Sequence, residues 1–333
     1  DALNGDNNRA KEFEGATNSN TTKLNDDGSR TNTDVRGDNK TTVQQNTNGS
    51  RVITNTQGNT KEVTTINRDG SQSIETTITD NEHGSTTVIK EDYDKKGRLR
   101  SSNRTVSDNT GASNTTTTTF RKNGNQETRT EAYTNGHGES RTTNTQFRRN
   151  GNVKSQDMSH TTTREGMRFT EGHSTTFRRN GNVETDTTTN FDGTKNIISN
   201  RRDGSLKSIE HQIGDGVTTS RIDISRGGDR LNARLYNGDG SSARVKVNLN
   251  NSNCGETLFN ARVKTYDANG HNTGTTNLDF NKQGTQVQHK GDGAQATNDA
   301  YSVYDSNYDG LATKSDNLVS RSINANASLV SNI

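Results

Sequence analysis

The phrase FRKNGN (Phe120–Asn125) returns as FRRNGN at Phe147–Asn152 and again at Phe177–Asn182. The three starts are 27 and 30 residues apart, and each phrase closes a Thr-rich run. The Asn-Gly pair inside it is the strongest short-range signal for a β-hairpin with a type I′ turn. Such a turn needs positive φ at both central residues, which Asn and Gly tolerate better than other residue types. The phrase therefore predicts a strand, a tight reversal and a second strand, three times over.

Working outward, weaker copies flank it: NRDG at Asn67, YDKKGR at Tyr93, RRDG at Arg201, SRGG at Ser225, YDANG at Tyr266 and FNKQG at Phe280. Their glycines, with Gly255, form one series: Gly70, Gly97, Gly124, Gly151, Gly181, Gly204, Gly228, Gly255, Gly270 and Gly284. A second series interleaves at Gly84, Gly111, Gly136, Gly166, Gly193, Gly216 and Gly240. Merged, the steps are mostly 11 to 15 residues. That spacing is one strand of roughly eight to eleven residues and one turn, so two strands make a repeat. The expected fold class is all-β: a long antiparallel meander of about twenty hairpin-linked strands, as an extended hydrophilic sheet or a β-solenoid.

YDKKGRLRSS, YDANGHNTG and FRRNGNVKS resemble the YD or RHS-type repeats of large secreted shells and surface proteins. The resemblance covers about residues 63–290 and implies a hairpin meander. Within that span the Tyr-Asp pair is complete only at Tyr93-Asp94 and Tyr266-Asp267; Phe-Arg or Asn-Arg stands in the other copies.

Composition narrows the class. Leu, Ile, Val and Phe together number 49 of 333 residues, below the roughly one-fifth associated with disorder. Disorder by that criterion also wants a high net charge. Here 42 basic and 40 acidic side chains leave a formal charge of +2. A neutral, Thr-rich chain of this kind is expected to fold with a thin core, its stability carried by ladders and cross-strand pairs. There is no proline to interrupt a ladder or to guard a sheet edge. The single cysteine, Cys254, excludes an internal disulfide framework. No run approaches the 18 apolar residues of a membrane helix, and the aromatic girdles of a membrane barrel are missing. A chain opening on Asp1 reads as a mature secreted product, although a fragment would read the same.

Three regions follow. Residues 1–62 are the most polar and read as an N-terminal arm or first hairpins. Residues 63–294 form the repetitive hairpin domain. Its first part has strands polar on both faces: after Gly124, Glu127, Arg129 and Glu131 share one face, and Thr128, Thr130 and Ala132 the other. Its later part, 205–290, alternates apolar with polar, as in Leu231, Ala233 and Leu235 or Ala243, Val245 and Val247. The best-packed region is expected there. Residues 295–333 lose the alternation and read as helix, loop, helix.

That last region holds a calcium-loop pattern. Asp305, Asn307, Asp309, Gly310 and Asp316 occupy positions 1, 3, 5, 6 and 12 of an EF-hand-type loop, with Leu311 supplying a backbone carbonyl. The stretch resembles EF-hand and dockerin loops, which implies structural Ca²⁺ on Asp305, Asn307, Asp309, Leu311 and Asp316. Ala312 replaces the usual branched residue, and no second loop is visible to pair with it. Arg121, Lys122, Arg148, Arg149, Arg178 and Arg179 beside the repeated turns invite a polyanion reading. Cross-strand ion pairing with the interleaved acids is the expected use. The seven histidines never fall at metal-ligand spacing, and no GxSxG, HExxH or phosphate loop appears, so no enzyme is expected. The sequence reads as an extracellular structural protein that self-assembles through strand edges or an inserted terminal segment. The alternative is a surface adhesin that binds glycans, another polysaccharide or a polyanion; nucleic acid is not the expected partner.

Overall fold

The computed structural model describes residues 18–214, 216–249, 257–281 and 284–291. The helix-loop-helix expected over 295–333 lies outside them. The chain divides into two compact units, Asp1–Thr170 and Glu171–Ile333.

The first unit contains β1 (Asn18–Leu24), β2 (Arg30–Arg36), β3 (Asn39–Gln45), β4 (Arg51–Gln57), β5 (Thr60–Ile66), β6 (Gln72–Asp80) and β7 (Ser85–Tyr93). It continues with β8 (Leu99–Asp108), β9 (Ser113–Phe120), β10 (Gln126–Thr134), β11 (Ser140–Phe147) and β12 (Val153–Arg164). Strand β13 (Met167–Phe177) runs through the division. The second unit adds β14 (Val183–Thr189), β15 (Lys195–Asn200), β16 (Leu206–Ile213), β17 (Val217–Ile224) and β18 (Arg230–Tyr236). It closes with β19 (Ser242–Asn248), β20 (Thr257–Tyr266), β21 (Asn272–Asn281) and β22 (Gly284–Gly291). In the first unit β1 to β12 pair antiparallel, each with the next in sequence. In the second unit β13 to β22 do the same. There is no helix among the described residues. The fold is the all-β meander, as an open sheet.

The repeated turn is not type I′. Gly124 donates its N–H to the Arg121 carbonyl at 3.0 Å, and the Arg121 N–H reaches the Asn125 carbonyl at 2.8 Å. Gly124 has φ 85°, whereas Asn123 stays at negative φ. This is a three-residue loop, a type I turn closed by a glycine in the left-handed region. The same pair of bonds recurs at Arg148–Asn152, Arg178–Asn182 and Arg201–Ser205. The Asn before glycine is used as an acceptor: the Asn125, Asn152 and Asn182 N–H groups donate to Asn123, Asn150 and Asn180 Oδ1. A carboxylate serves as well, as where Ser71 donates to Asp69. The type I′ geometry sits instead at Glu165-Gly166, whose φ values are 51° and 75°.

Antiparallel alternation sends successive turns to opposite ends of the strands. Within each unit the turns that follow odd-numbered strands share one edge, the first: those around Gly28, Gly49, Gly70, Gly97, Gly124 and Gly151 in the first unit, and those around Gly181, Gly204 and Gly228 in the second. The turns that follow even-numbered strands share the other: Gly37, Gly58, Gly84, Gly111, Gly136 and Gly166 in the first unit, and Gly193, Gly216, Gly240 and Gly270 in the second. Spacing alone puts Gly270 in the first series. Strand order places it with Gly240, because β20 leads into that turn.

The faces differ between the units. On β10 half-buried and exposed side chains alternate along the whole strand, with Thr128, Thr130 and Ala132 on the drier side. Thr130 pairs with Thr117 and Asn144, and hydroxyl–amide bonds bind the row: Asn103 to Thr117 at 2.7 Å, Thr130 to Asn144 at 2.8 Å. In the second unit Ile222, Ala233, Val245 and Val263 form one cross-strand row. Ala261 and Leu278, with Val247, form the next. Val263 is 1% exposed. Every buried apolar side chain among the described residues lies between Ile209 and Leu278, as the alternation over 205–290 anticipated.

Candidate functional site: the basic turn edge

The turns on the first edge are hydrogen-bonded to one another two strands apart. Arg98 Nη1 donates to the Lys122 carbonyl, and Arg121 Nη2 to the Phe147 carbonyl at 2.8 Å. Asn125 Nδ2 donates to the Arg149 carbonyl at 2.9 Å. In the second unit Arg178 reaches the Asn200 carbonyl, Asn180 and Asn182 reach that of Arg202, and Arg201 that of Ile224. Long polar side chains at the turns thus satisfy backbone acceptors that strand pairing leaves open. The edge is a ladder of turns, with a rung every two strands or about 9.5 Å.

The cations singled out in the sequence separate into two kinds. Those at the first position are structural. Arg121 pairs with Glu127 at 2.8 Å and Arg178 with Glu184 at 3.0 Å. Both glutamates stand where the register slips by one residue after the turn, so a bulge aims each carboxylate at the arginine. Arg148 is also half-buried and engaged. The expected ion pairing therefore holds at Arg121 and Arg178. Cations at the second position point to water: Lys122, Arg149 and Arg179 are exposed, and no carboxylate ion-pairs with them among the described residues.

The same second position carries Arg68, Lys95, Arg202 and Arg226 on this edge, all exposed. Of these Arg226 lies 3.8 Å from Asp203. The matching turns on the other edge carry Asn109, Gly136, Phe191, Gly238 and Ala268 instead. Counting two residues back from the first-edge glycines Gly70 to Gly228 exposes the rule in the bare sequence; Gly28 and Gly49 depart from it, with Asp26 and Thr47 at that place. Comparing the phrases as whole motifs, and not by edge, hides it.

Acids recur on the second edge from the Gly84 turn onward, at varied turn positions: Asp80 and Glu82, Asp108, Glu139, Glu165, Asp192, Asp239 and Asp267. His83 sits against Asp80, His271 against Asp267, and Arg141 against Glu139. Hydrogen bonds from Thr110 and from Thr194 hold the Asp108 and Asp192 carboxyls below the usual range, and Ser241 does so for Asp239. On the first edge the Arg98 guanidinium, doubly bonded to Asp94, lowers that carboxyl from 3.8 to about 2.

Among the described residues no group of three His, Cys, Asp or Glu could hold a metal ion, and no helix is long and apolar enough to cross a membrane. The calcium-loop residues Asp305, Asn307, Asp309, Leu311 and Asp316 lie outside the described residues.

What the fold defines is an antiparallel β-hairpin-repeat meander. No protein-family model matches the chain, and no curated protein matches it. Among solved structures, a chain of the crystal structure of TcdB2-TccC3-Cdc42 aligns at 11% identity with a TM-score of 0.12. The alignment covers 80% of this chain and 20% of that one, so this chain spans about a fifth of its neighbour's length.

Proposed function

We propose that the chain is an extracellular structural protein whose copies associate through their β-strands into a filament, matrix or adhesive layer. The observation that carries this is strand β1. Among the described residues it pairs with β2 alone, and all seven of its side chains are exposed. Among the described residues no strand pairs with its outer N–H and C=O groups, which a further strand can meet with no proline to block the approach. Open sheets of this kind are extended by neighbours unless charge or a covering element prevents it. A hydrophilic meander with little apolar packing gains from every added ladder.

Relationship to YD or RHS-type repeats belongs to the same proposal. It is supported by Tyr93 and Tyr266, each of which ends a strand and hands an aspartate to the first turn position. Calcium on Asp305, Asn307, Asp309, Asp316 and the Leu311 carbonyl is proposed from the sequence pattern as a structural ion. Calorimetric titration with Ca²⁺, repeated on Asp305→Ala, checks it; unchanged heats in the variant would remove it.

Electron microscopy and sedimentation over a range of concentration, with and without Ca²⁺, test the main reading. Filaments or sheets are expected, and they should be suppressed by Asn20→Lys with Thr22→Lys, which places two charges on β1. A stable monomer under all conditions would overturn it.

A further inference from the structure

The two turn edges carry opposite charge at one spacing. In the first unit Arg68, Lys95, Lys122 and Arg149 stand one per turn along the first edge from the Gly70 turn onward, the two earlier turns carrying Asp26 and Thr47; Asp80 with Glu82, Asp108, Glu139 and Glu165 stand one turn apart along the second from the Gly84 turn onward, outnumbering the exposed Arg141, Arg164 and Arg168 among them. In the second unit the rows are Arg179, Arg202 and Arg226 against Asp192, Asp239 and Asp267. In the first unit both rows repeat every two strands because both are set by the same hairpins, so their periods agree at about 9.5 Å without further tuning; in the second unit the basic row keeps that step, and Asp192 and Asp239 stand four strands apart. The cations at second positions cost nothing internally, since the turn scaffold uses the first, third and fifth residues; Asp108, Asp192 and Asp239 stand at those scaffold positions, accept hydrogen bonds from Thr110, Thr194 and Ser241, and keep their charge exposed at the edge. Lys122, Arg149, Arg179 and Arg202 have no ion-pair partner, nor do Glu82, Asp108, Glu165, Asp192 and Asp239, among the described residues.

We infer that the basic turn edge of one copy docks on the acidic turn edge of a second copy, joining meanders side by side through rows of matched ion pairs. This rests on the assembly reading above and names a contact distinct from strand pairing at β1. The contact is head-to-tail: one surface meets a different surface, so it does not close on itself and propagates into a layer or fibre. A second copy fits better than nucleic acid. A nucleic-acid strand carries a phosphate about every 3.4 Å and favours aromatic platforms, whereas these cations stand about 9.5 Å apart and none of the seven second-position residues is aromatic. Individually such exposed pairs are weak and salt-sensitive; a repeated row of them sets register and partner choice.

The test uses the full chain and two variants. One neutralises the basic edge: Lys122→Gln, Arg149→Gln, Arg179→Gln and Arg202→Gln. The other neutralises the acidic edge: Glu82→Gln, Asp108→Asn, Asp192→Asn and Asp239→Asn. Asparagine already fills the corresponding positions in other turns of this chain, at Asn46, Asn48, Asn150 and Asn180, so the turns are kept. Circular dichroism checks that the strand content is unchanged. Arg104→Gln with Arg234→Gln, exposed in the middle of β8 and β18 and away from both edges, is the control.

Light scattering and electron microscopy then follow side-by-side growth. Either edge variant is expected to slow it at least tenfold, and the control less than twofold. Raising salt from about 0.01 M to about 1 M, which shrinks the screening length from roughly 30 to roughly 3 Å, should have the same effect on the natural chain. Assembly that persists in both variants and in high salt overturns this contact and leaves strand-edge assembly standing. No assembly of the natural chain removes both. Retention on an acidic polysaccharide that only the basic-edge variant loses, with assembly unchanged, overturns the second copy in favour of a bound polymer.

Discussion

The two units solve the same backbone problem with different side chains. In the first, the buried side chains among the described residues are Ser29, Thr118, Thr145 and Thr161, all hydroxyls. In the second they are Ile209, Ile222, Ala233, Ala243, Val245, Ala261, Val263 and Leu278, joined by Ser208, Ser220 and Thr276. Turn geometry and strand length are alike in both. A hairpin meander therefore does not require an apolar face; hydroxyl rows, amide bonds and stacked turns can hold the ladders. What the apolar rows add is transfer free energy, about 25 cal/mol per Å² removed from water, which the hydroxyl rows largely forgo.

The largest test of that contrast is Ile222→Ala. It opens a cavity in the row Ile222, Ala233, Val245, Val263 and should cost about 2–5 kcal/mol. Hydrogen exchange resolved by segment should show the loss across β16–β20 with β6–β11 unaffected. Equal loss in both units would break the distinction drawn here.

Next come the turns, common to both units. Gly136→Ala should destabilise more than Gly151→Ala. Both glycines have positive φ, 73° and 89°, where an added Cβ costs roughly 1–2 kcal/mol. At Gly151 that Cβ meets open space; at Gly136 it lies 2.8 Å from the Thr110 carbonyl oxygen and 2.9 Å from the Gly111 carbonyl carbon. Thermal unfolding of the two variants measures the difference, and equal shifts would show that the turns do not stack as described.

Acid should loosen the turns before it reaches the apolar rows. Asp94 has its carboxyl lowered from 3.8 to about 2 by Arg98, so its contribution is complete above the unfolded value and lost as pH falls towards 2. Asp27, Asp69, Asp203 and Asp267 shift in the same direction, the first three chiefly through the hydroxyl of the residue two places on, Asp267 through the His271 N–H. Exchange protection near Gly97 should decline over that window in the natural chain, and less in Asp94→Asn. A decline starting near neutrality would point to another group.

The smallest expected effect is Thr130→Val. It keeps the shape and the strand preference and removes one bond to Asn144. The cost should be about 0.2–1 kcal/mol by chemical denaturation. A loss as large as that of Ile222→Ala would mean that the hydroxyl rows carry as much as the apolar ones.

Much of the molecule was legible before its structure. Alternation in Leu231–Leu235 and Ala243–Val247 located the apolar rows, and the polar double face of Glu127–Ala132 located the hydroxyl rows. Legibility ends where a residue's role depends on a neighbour two strands away. Arg121 and Lys122 stand side by side in the sequence. Yet Arg121 is tied to Glu127 and the Phe147 carbonyl, while Lys122 faces water.

Residue order alone determined the all-β class, the succession of antiparallel strands and the position of nearly every reversal. In a meander each strand pairs with the next, so local spacing is enough. Tertiary structure decided the type of turn, the edge to which Gly270 belongs and the separation of ion-paired from water-facing cations. Those depend on how hairpins stack across about 9.5 Å, a distance that joins residues more than twenty positions apart.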